Sequence, residues 1–541
     1  MTGPPPRSRT AGIPASVAPA DSPPASTGLP GAASAGPAPA DPGTAAASPA
    51  RAAHGSANGR LRLAMLVVGV VGFAAAALGI GVRAIDAAQV AVDEPQYLLT
   101  AISLGEDGSL DIADELAGER WRAFADVPPP VQTRPLAGGR QVSPHDPLLP
   151  LVLALPVRLA GWLAAKWTLA VLAGLLAAAT LWLAVRRFGV RLRVAAPGVA
   201  LAAGSAPLAV YGQQVYPELP AALLVVLAAA ALTGPLRRGG LFAAGLCVAA
   251  LPWLSVKYVP VAAALAVVAA VRLRGRRPAL GALAGCWLLA GAGYLLVHRA
   301  VWGGWTVYAS GDEFARSGEF GAVGFHPDYP GRSIRLAGLL VDRGFGLAGW
   351  QPAYLLAVPA LAALLATRPR PRHWPVLAAP LAAGWLNATY VAVTMHGFWW
   401  PGRQLVVVLP LVVVLVTVWV DRLRPAGRLG CAALALAGVL VYARVLAAGW
   451  AHRTTWVRAP DDTRLRPGLA WLLPDDRVLA AGDRLRLAAW VAAGLLTAVA
   501  AALAARGRRP AAPDQPVAAS DRPAADPDRP AGPDQPAARA K

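Results

Sequence analysis

The chain has 541 residues, 56% of them hydrophobic and only 15% charged, with a mean hydropathy of +0.47 and a formal net charge of +20. Such a composition excludes a soluble globular domain, in which about a quarter of residues are charged. The charge suggests nucleic acid, but the 47 arginines and three lysines are spread through short segments between apolar runs, which excludes a basic docking face.

Residues 1–59 are Pro, Ala, Ser and Gly with almost no large apolar side chain. Such a segment buries too little surface to offset its ordering entropy and is expected to be a disordered cytoplasmic tail. Residues 506–541, with repeated "PDQP" and "DRPA", read the same way. Between them, 60–505 is expected to be one all-α, polytopic membrane domain. Its first apolar run begins near Leu61 and is long enough to span, so it reads as an anchor rather than a cleaved signal. Cys247, Cys286 and Cys431 fall inside apolar runs, so no disulfide framework is indicated.

Twelve spans are read: 61–82, 163–185, 194–211, 217–233, 240–254, 257–271, 279–300, 346–366, 375–394, 404–420, 429–449 and 487–505. The connections "VRRFGVRLR", "PLRRGG", "RLRGRR", "TRPRPRH", "DRLRPAGR" and "RGRR" hold 19 Arg and one Asp, and they fall on every second connection. Cytoplasmic loops collect basic residues, so this parity places both tails in the cytoplasm. It also makes the 32-residue block 240–271 cross twice, with "PWLSVKY" as an outer turn, and makes 147–185 cross once. The leading "PLLPLVLALPVRLAG" is then an interfacial helix with Arg158 snorkelling. The long loops 83–146, 301–345 and 450–486 are all placed outside, and the first carries 11 of the 30 acidic residues. Loops on a rigid scaffold are where function concentrates.

Several stretches resemble a known family. "DEPQY" opening the first long loop, "SPHDPLLPLVLALP", "YGQQVYPELPAALL", "DRGFGLAGWQPAYLL" and "GFWWPGRQLVVVLPL" are similar to segments of the GT-C class of integral-membrane glycosyltransferases. That class uses polyprenyl-phosphate sugars and includes protein O-mannosyltransferases and the aminoarabinose and arabinosyl transferases. The resemblance covers roughly 61–420, and this chain has no inserted soluble sugar-binding domain. It implies a GT-C-like fold with a large first outer loop and interfacial helices. It also implies a lipid-linked donor, an extracytoplasmic acceptor (cell-envelope glycan, lipid or protein) and inversion at the anomeric centre. The aspartate matching Asp93 would take or orient the acceptor proton.

Read on their chemistry, the candidate residues divide by role. Asp93 and Glu94 form a carboxylate pair suited to general-base work or to a divalent ion, or else they start a helix at Pro95. No other metal or cofactor is indicated. His145 and Asp146 would face the acceptor or a metal, or Asp146 would cap the helix beginning at Pro147; the family often has Pro after the histidine, so the Asp is a departure. Glu218 is a second active-site carboxylate or a helix cap. Lys257 and Arg403 suit a leaving lipid phosphate, or Lys257 snorkels to headgroups. His396, Trp399 and Trp400 share an outer turn with Arg403, where the indoles would stack on a sugar or join the interfacial belt. Asp312 and Glu313 read as a solvated loop.

No Gly-rich nucleotide loop, no Cys/His metal spacing and no nucleophile motif is present. The competing readings are a transporter or lipid-linked-sugar flippase, which would show internal repeats and charged or broken helices near the midplane, and a non-catalytic scaffold. The expected partners are membrane lipids, the donor and the acceptor at the plasma membrane, with the site facing outside and no nucleic acid. The topology predicts that cysteines placed at Ser109 or Asp461 are labelled by an impermeant reagent on intact cells and that one at Arg274 is not. Labelling at 274 would overturn the twelve-span reading.

Overall fold

In the computed structural model, residues 49–311, 326–371 and 373–507 are described. Most of the tails 1–59 and 506–541, and the pair Asp312 and Glu313, lie outside the described residues. The described residues from Ser56 onward form one unit.

The helices in order are α1 (Pro49–Ala77), α2 (Glu94–Glu106), α3 (Ala113–Ala117), α4 (Leu148–Ala160), α5 (Leu163–Phe188), α6 (Leu192–Ala203), α7 (Leu208–Tyr211), α8 (Glu218–Thr233), α9 (Arg238–Leu254) and α10 (Val259–Leu273). They continue with α11 (Arg277–Val301), α12 (Tyr329–Arg332), α13 (Arg335–Val341), α14 (Ala357–Ala366), α15 (Trp374–Leu386), α16 (Leu409–Val420), α17 (Pro425–Trp450), α18 (Leu469–Leu472) and α19 (Ala481–Arg506). Among the described residues, β-pairing is limited to isolated bridges.

Every apolar run read from the sequence contains a helix, and 240–271 is two helices joined by a turn at 255–258. Among the described residues, six helices, including α5, α11, α17 and α19, are long and apolar enough to cross a membrane. Four of the remaining runs are broken. Run 194–211 stops at Ala203 and resumes as α7 after Pro207, which has no N–H to give a helix. Run 346–366 opens in 3-10 turns at Leu347–Gly349 and Pro352–Leu356, and run 404–420 opens in one at Arg403–Leu405. In run 375–394, α15 passes into a π turn at Asn387–Val391. A regular helix of 12 residues reaches only about 18 Å. Broken backbone at membrane depth is tolerated only inside protein or along a water-filled cavity.

Helix α5 is central and packs on α4, α6, α8 and α16. Its buried face is mostly Ala, Leu and Gly, which lets neighbouring backbones come close. α4 packs on α2 and turns Leu151, Val152, Leu155 and Leu159 outward, as an interfacial helix does.

The contact between α1 and α5 depends on glycine. A Cβ on Gly174 would lie 2.8 Å from the Gly69 carbonyl oxygen, and one on Gly72 would lie 3.0 Å from Ala177 Cβ. Gly174→Leu should therefore push the two helices apart and cost about 1–3 kcal/mol, as overpacking does. Exposed Gly291, with nothing near its Cβ position, should accept Leu without loss. Thermal denaturation of the two variants in detergent checks this.

Candidate active site

The chain leaves α1 and folds back at 84–88 before reaching Val92, whose φ of 57° is in the left-handed region. That conformation is costly for a β-branched residue and marks a point where the surroundings dictate the backbone. Gln132 Nε2 holds it by donating to the Val92 carbonyl at 3.0 Å. The next residue is Asp93, at the N-cap position of α2 with no side-chain capping bond. Its Oδ2 accepts from Arg403 Nη2 at 2.6 Å, and its Oδ1 accepts from Gln132 Nε2 at 3.3 Å. Burial pushes the Asp93 carboxyl up, but Arg403, His145 and Lys257 outweigh it and hold it well below the usual carboxylate range.

Arg403 follows Gly402, which turns the chain at a φ of 79°. Its guanidinium lies over the Tyr216 ring at 4.1 Å and the Trp399 ring at 5.2 Å. Arg403 Nε donates to Glu218 Oε1 at 2.8 Å, and Lys257 Nζ donates to the same oxygen at 2.6 Å. Asn387, in the π turn, steadies that residue by donating to the Lys257 carbonyl at 3.1 Å. Two carboxylates and two cations thus alternate in one formally neutral chain, Asp93–Arg403–Glu218–Lys257. Glu218 is fully buried and Arg403 nearly so, whereas Asp93 and Lys257 each keep 17% of their side-chain surface accessible. Glu218 does not cap α8, and its Oε2 has no hydrogen-bond partner.

His145 joins from the end of the first long loop. It stacks on Tyr97 with ring centroids 4.7 Å apart, and its Nε2 is 3.9 Å from Asp93 Oδ1. That nitrogen is 3.0 Å from Gln132 Oε1, which can only accept, so Nε2 carries the proton. Burial lowers the His145 pKa despite the opposing pull of Asp93.

Four expected ligands stand elsewhere. Both Glu94 oxygens accept backbone N–H groups, from Ala91 at 3.2 Å and Val215 at 2.7 Å, so this residue fastens the first loop to the 212–217 segment. Asp146 is not a cap and does not face an acceptor. It is buried, with Oδ2 accepting from Val256 N at 2.9 Å and Oδ1 from Tyr294 Oη at 2.8 Å and His298 Nε2 at 3.1 Å. It thereby locks the turn that presents Lys257. Trp400 is fully buried against Trp350 and Trp456, so it offers no ring face to a sugar; Trp399 spends one face on Arg403. His396 belongs to a separate cluster, 3.6 Å from Asp342 Oδ1 and edge-on to Phe345.

Gln132, Tyr216 and Asn387 were not foreseen. Gln132 lies in an irregular polar loop and Asn387 at a helix end, with no pattern to single them out. Tyr216 is two residues from Glu218, and an aromatic beside a buried acid was the available signal.

No family model and no curated protein matches the chain. Two solved structures are similar in layout. One is ArnT from Cupriavidus metallidurans bound to undecaprenyl phosphate, with a TM-score of 0.46, 16% identity and coverage of 83% of this chain and 77% of that one. The other is the same protein in the apo state, with a TM-score of 0.44, 16% identity and coverage of 83% and 75%. A likeness at this level fixes no residue correspondence, and the reading of the site stands on its own side chains.

Proposed function

We propose that this protein is a plasma-membrane glycosyltransferase that moves a sugar from a polyprenyl-phosphate donor to an extracytoplasmic hydroxyl acceptor, with inversion. The observation that carries the reading is the convergence of Asp93, Glu218, Lys257 and Arg403 on one network in which Asp93 and Lys257 stay accessible side by side with buried partners. The resemblance of the surrounding segments to the lipid-dependent class supports it. A scaffold has no use for such a network.

The geometry suggests how the step is controlled. Arg403 suppresses the basicity of Asp93 in the resting site, and a weak base is a poor proton acceptor. A donor phosphate binding Lys257 and Arg403 draws the guanidinium away from Asp93 and raises its basicity at the moment it is needed. The acceptor oxygen then attacks the anomeric carbon, its proton passes to Asp93, and the bond from that carbon to the phosphate oxygen breaks. The departing phosphate gains one negative charge, and the two cations hold it more tightly in the transition state than in the donor. Lys257 and Arg403 thus supply the positive charge that a metal ion would supply at a leaving phosphate.

Lys257→Ala should weaken binding of the lipid-phosphate sugar by one charge-assisted contact of about 1.5–3 kcal/mol, while Arg403 still neutralises Glu218. Arg403→Lys keeps the charge but cannot fork to two carboxylates, so it should bind donor less tightly as well. Unchanged donor affinity in both variants would reduce the pair to structure.

Asp93→Asn should leave donor binding near normal and lower turnover by about 10²–10⁴, the usual worth of a general base. The assay is transfer from a radiolabelled lipid-phosphate sugar in membranes. Near-normal turnover would remove the base. Wild-type chain that moves the lipid-linked sugar across proteoliposomes without breaking its phosphate bond would favour the flippase reading.

A further inference from the structure

The C-terminal end of α2 carries a second acidic group that the transfer step does not use. Asp107, at its C-cap, and Asp114 and Glu115, in α3, each place a carboxylate oxygen within 4.8 Å of the other two. Oxygens bound to one calcium ion at about 2.4 Å are at most about 4.8 Å apart, so the spacing meets the limit for a shared ion. Among the described residues none of the three forms an ion pair with a cationic side chain; the nearby Arg120 spends both terminal nitrogens on Glu106, at 2.7 and 2.5 Å.

The independent observation is Glu115. The residue is only 2% exposed, and among the described residues its Oε2 has no hydrogen-bond partner. A buried carboxylate oxygen left without a partner is costly, and native structures normally satisfy such an atom with a protein group, a water or an ion. One oxygen each of Asp107 and Asp114 lies within 4.8 Å of a Glu115 carboxylate oxygen, which makes a cation a fitting partner. The last turn of α2 also has no basic side chain, and a helix C-terminus favours positive charge.

We propose that Asp107, Asp114 and Glu115 bind a hard divalent cation of the calcium class. All the donors are carboxylate oxygens, which suits calcium and not the soft or nitrogen-seeking metals. The ion pins α3 to the end of α2. The other end of the same helix presents Asp93, about 20 Å away along 13 residues, so the ion braces the loop and does not touch the reacting groups.

The test is equilibrium dialysis of the full-length protein in detergent, stripped with chelator, against radioactive calcium. One saturable site is expected, with a Kd of about 10⁻⁴–10⁻³ M, the range of loosely built extracellular sites. Glu115→Gln should weaken it at least tenfold. Asp107→Asn and Asp114→Asn, whose side chains are exposed and safe for folding, should do likewise and decide the matter if the Glu115 variant does not fold. Asp93→Asn should bind calcium as the wild type does. The proposal is overturned if the folded wild type shows no saturable binding, if both exposed variants bind normally, or if Asp93→Asn alone loses the ion.

Discussion

Arg403 against Glu218 is the contact on which the rest of the site depends. Neither side chain has appreciable access to water, and removing an ion from water costs several kcal/mol even after relaxation. Each ion is tolerable only because the other is there. Arg403 is further met by Asp93 and by the ring faces of Tyr216 and Trp399, and Glu218 by Lys257. Segments far apart in sequence are thereby fastened to one point. A buried ion network of this kind is weak evidence for stability, since well-packed apolar side chains often do as well. Titratable groups perturbed in this way are candidates for a functional site.

Adjacent acids in the first long loop do different work. Successive helical residues point about 100° apart, so when Asp93 faces Arg403 its neighbour Glu94 must face elsewhere. It faces the backbone of Ala91 and Val215 and fixes the loop that carries Asp93. The same division separates His145, near Asp93, from Asp146, which holds Val256, Tyr294 and His298. One residue of each pair meets the network or its edge, and the other positions the backbone beneath it.

The broken helices have a related cause. Regular helix satisfies its own backbone and leaves nothing to aim at a polar centre. The interruptions at 204–217, 255–258 and 387–402 bring Glu218, Lys257 and Arg403 to the ends of short segments, where side chains converge. The freed backbone groups are taken up locally, as when the Trp400 carbonyl accepts from Tyr211 Oη at 2.6 Å.

The sequence by itself determined the helical class, the place of each apolar run, the split of 240–271 and the start of α2 next to Pro95. These follow from apolar run length and from proline, which are local properties of the chain. It also singled out Asp93, Lys257, Arg403 and Glu218 as charges that needed a reason. Only the tertiary structure decided which of two adjacent residues served the site. Trp399 lies under Arg403 while Trp400 disappears between Trp350 and Trp456, and Gln132 bridges Asp93 and His145 from a loop with no pattern. Those outcomes depend on partners tens to hundreds of residues away, and a side chain's burial is set by that long-range packing, which no local periodicity contains.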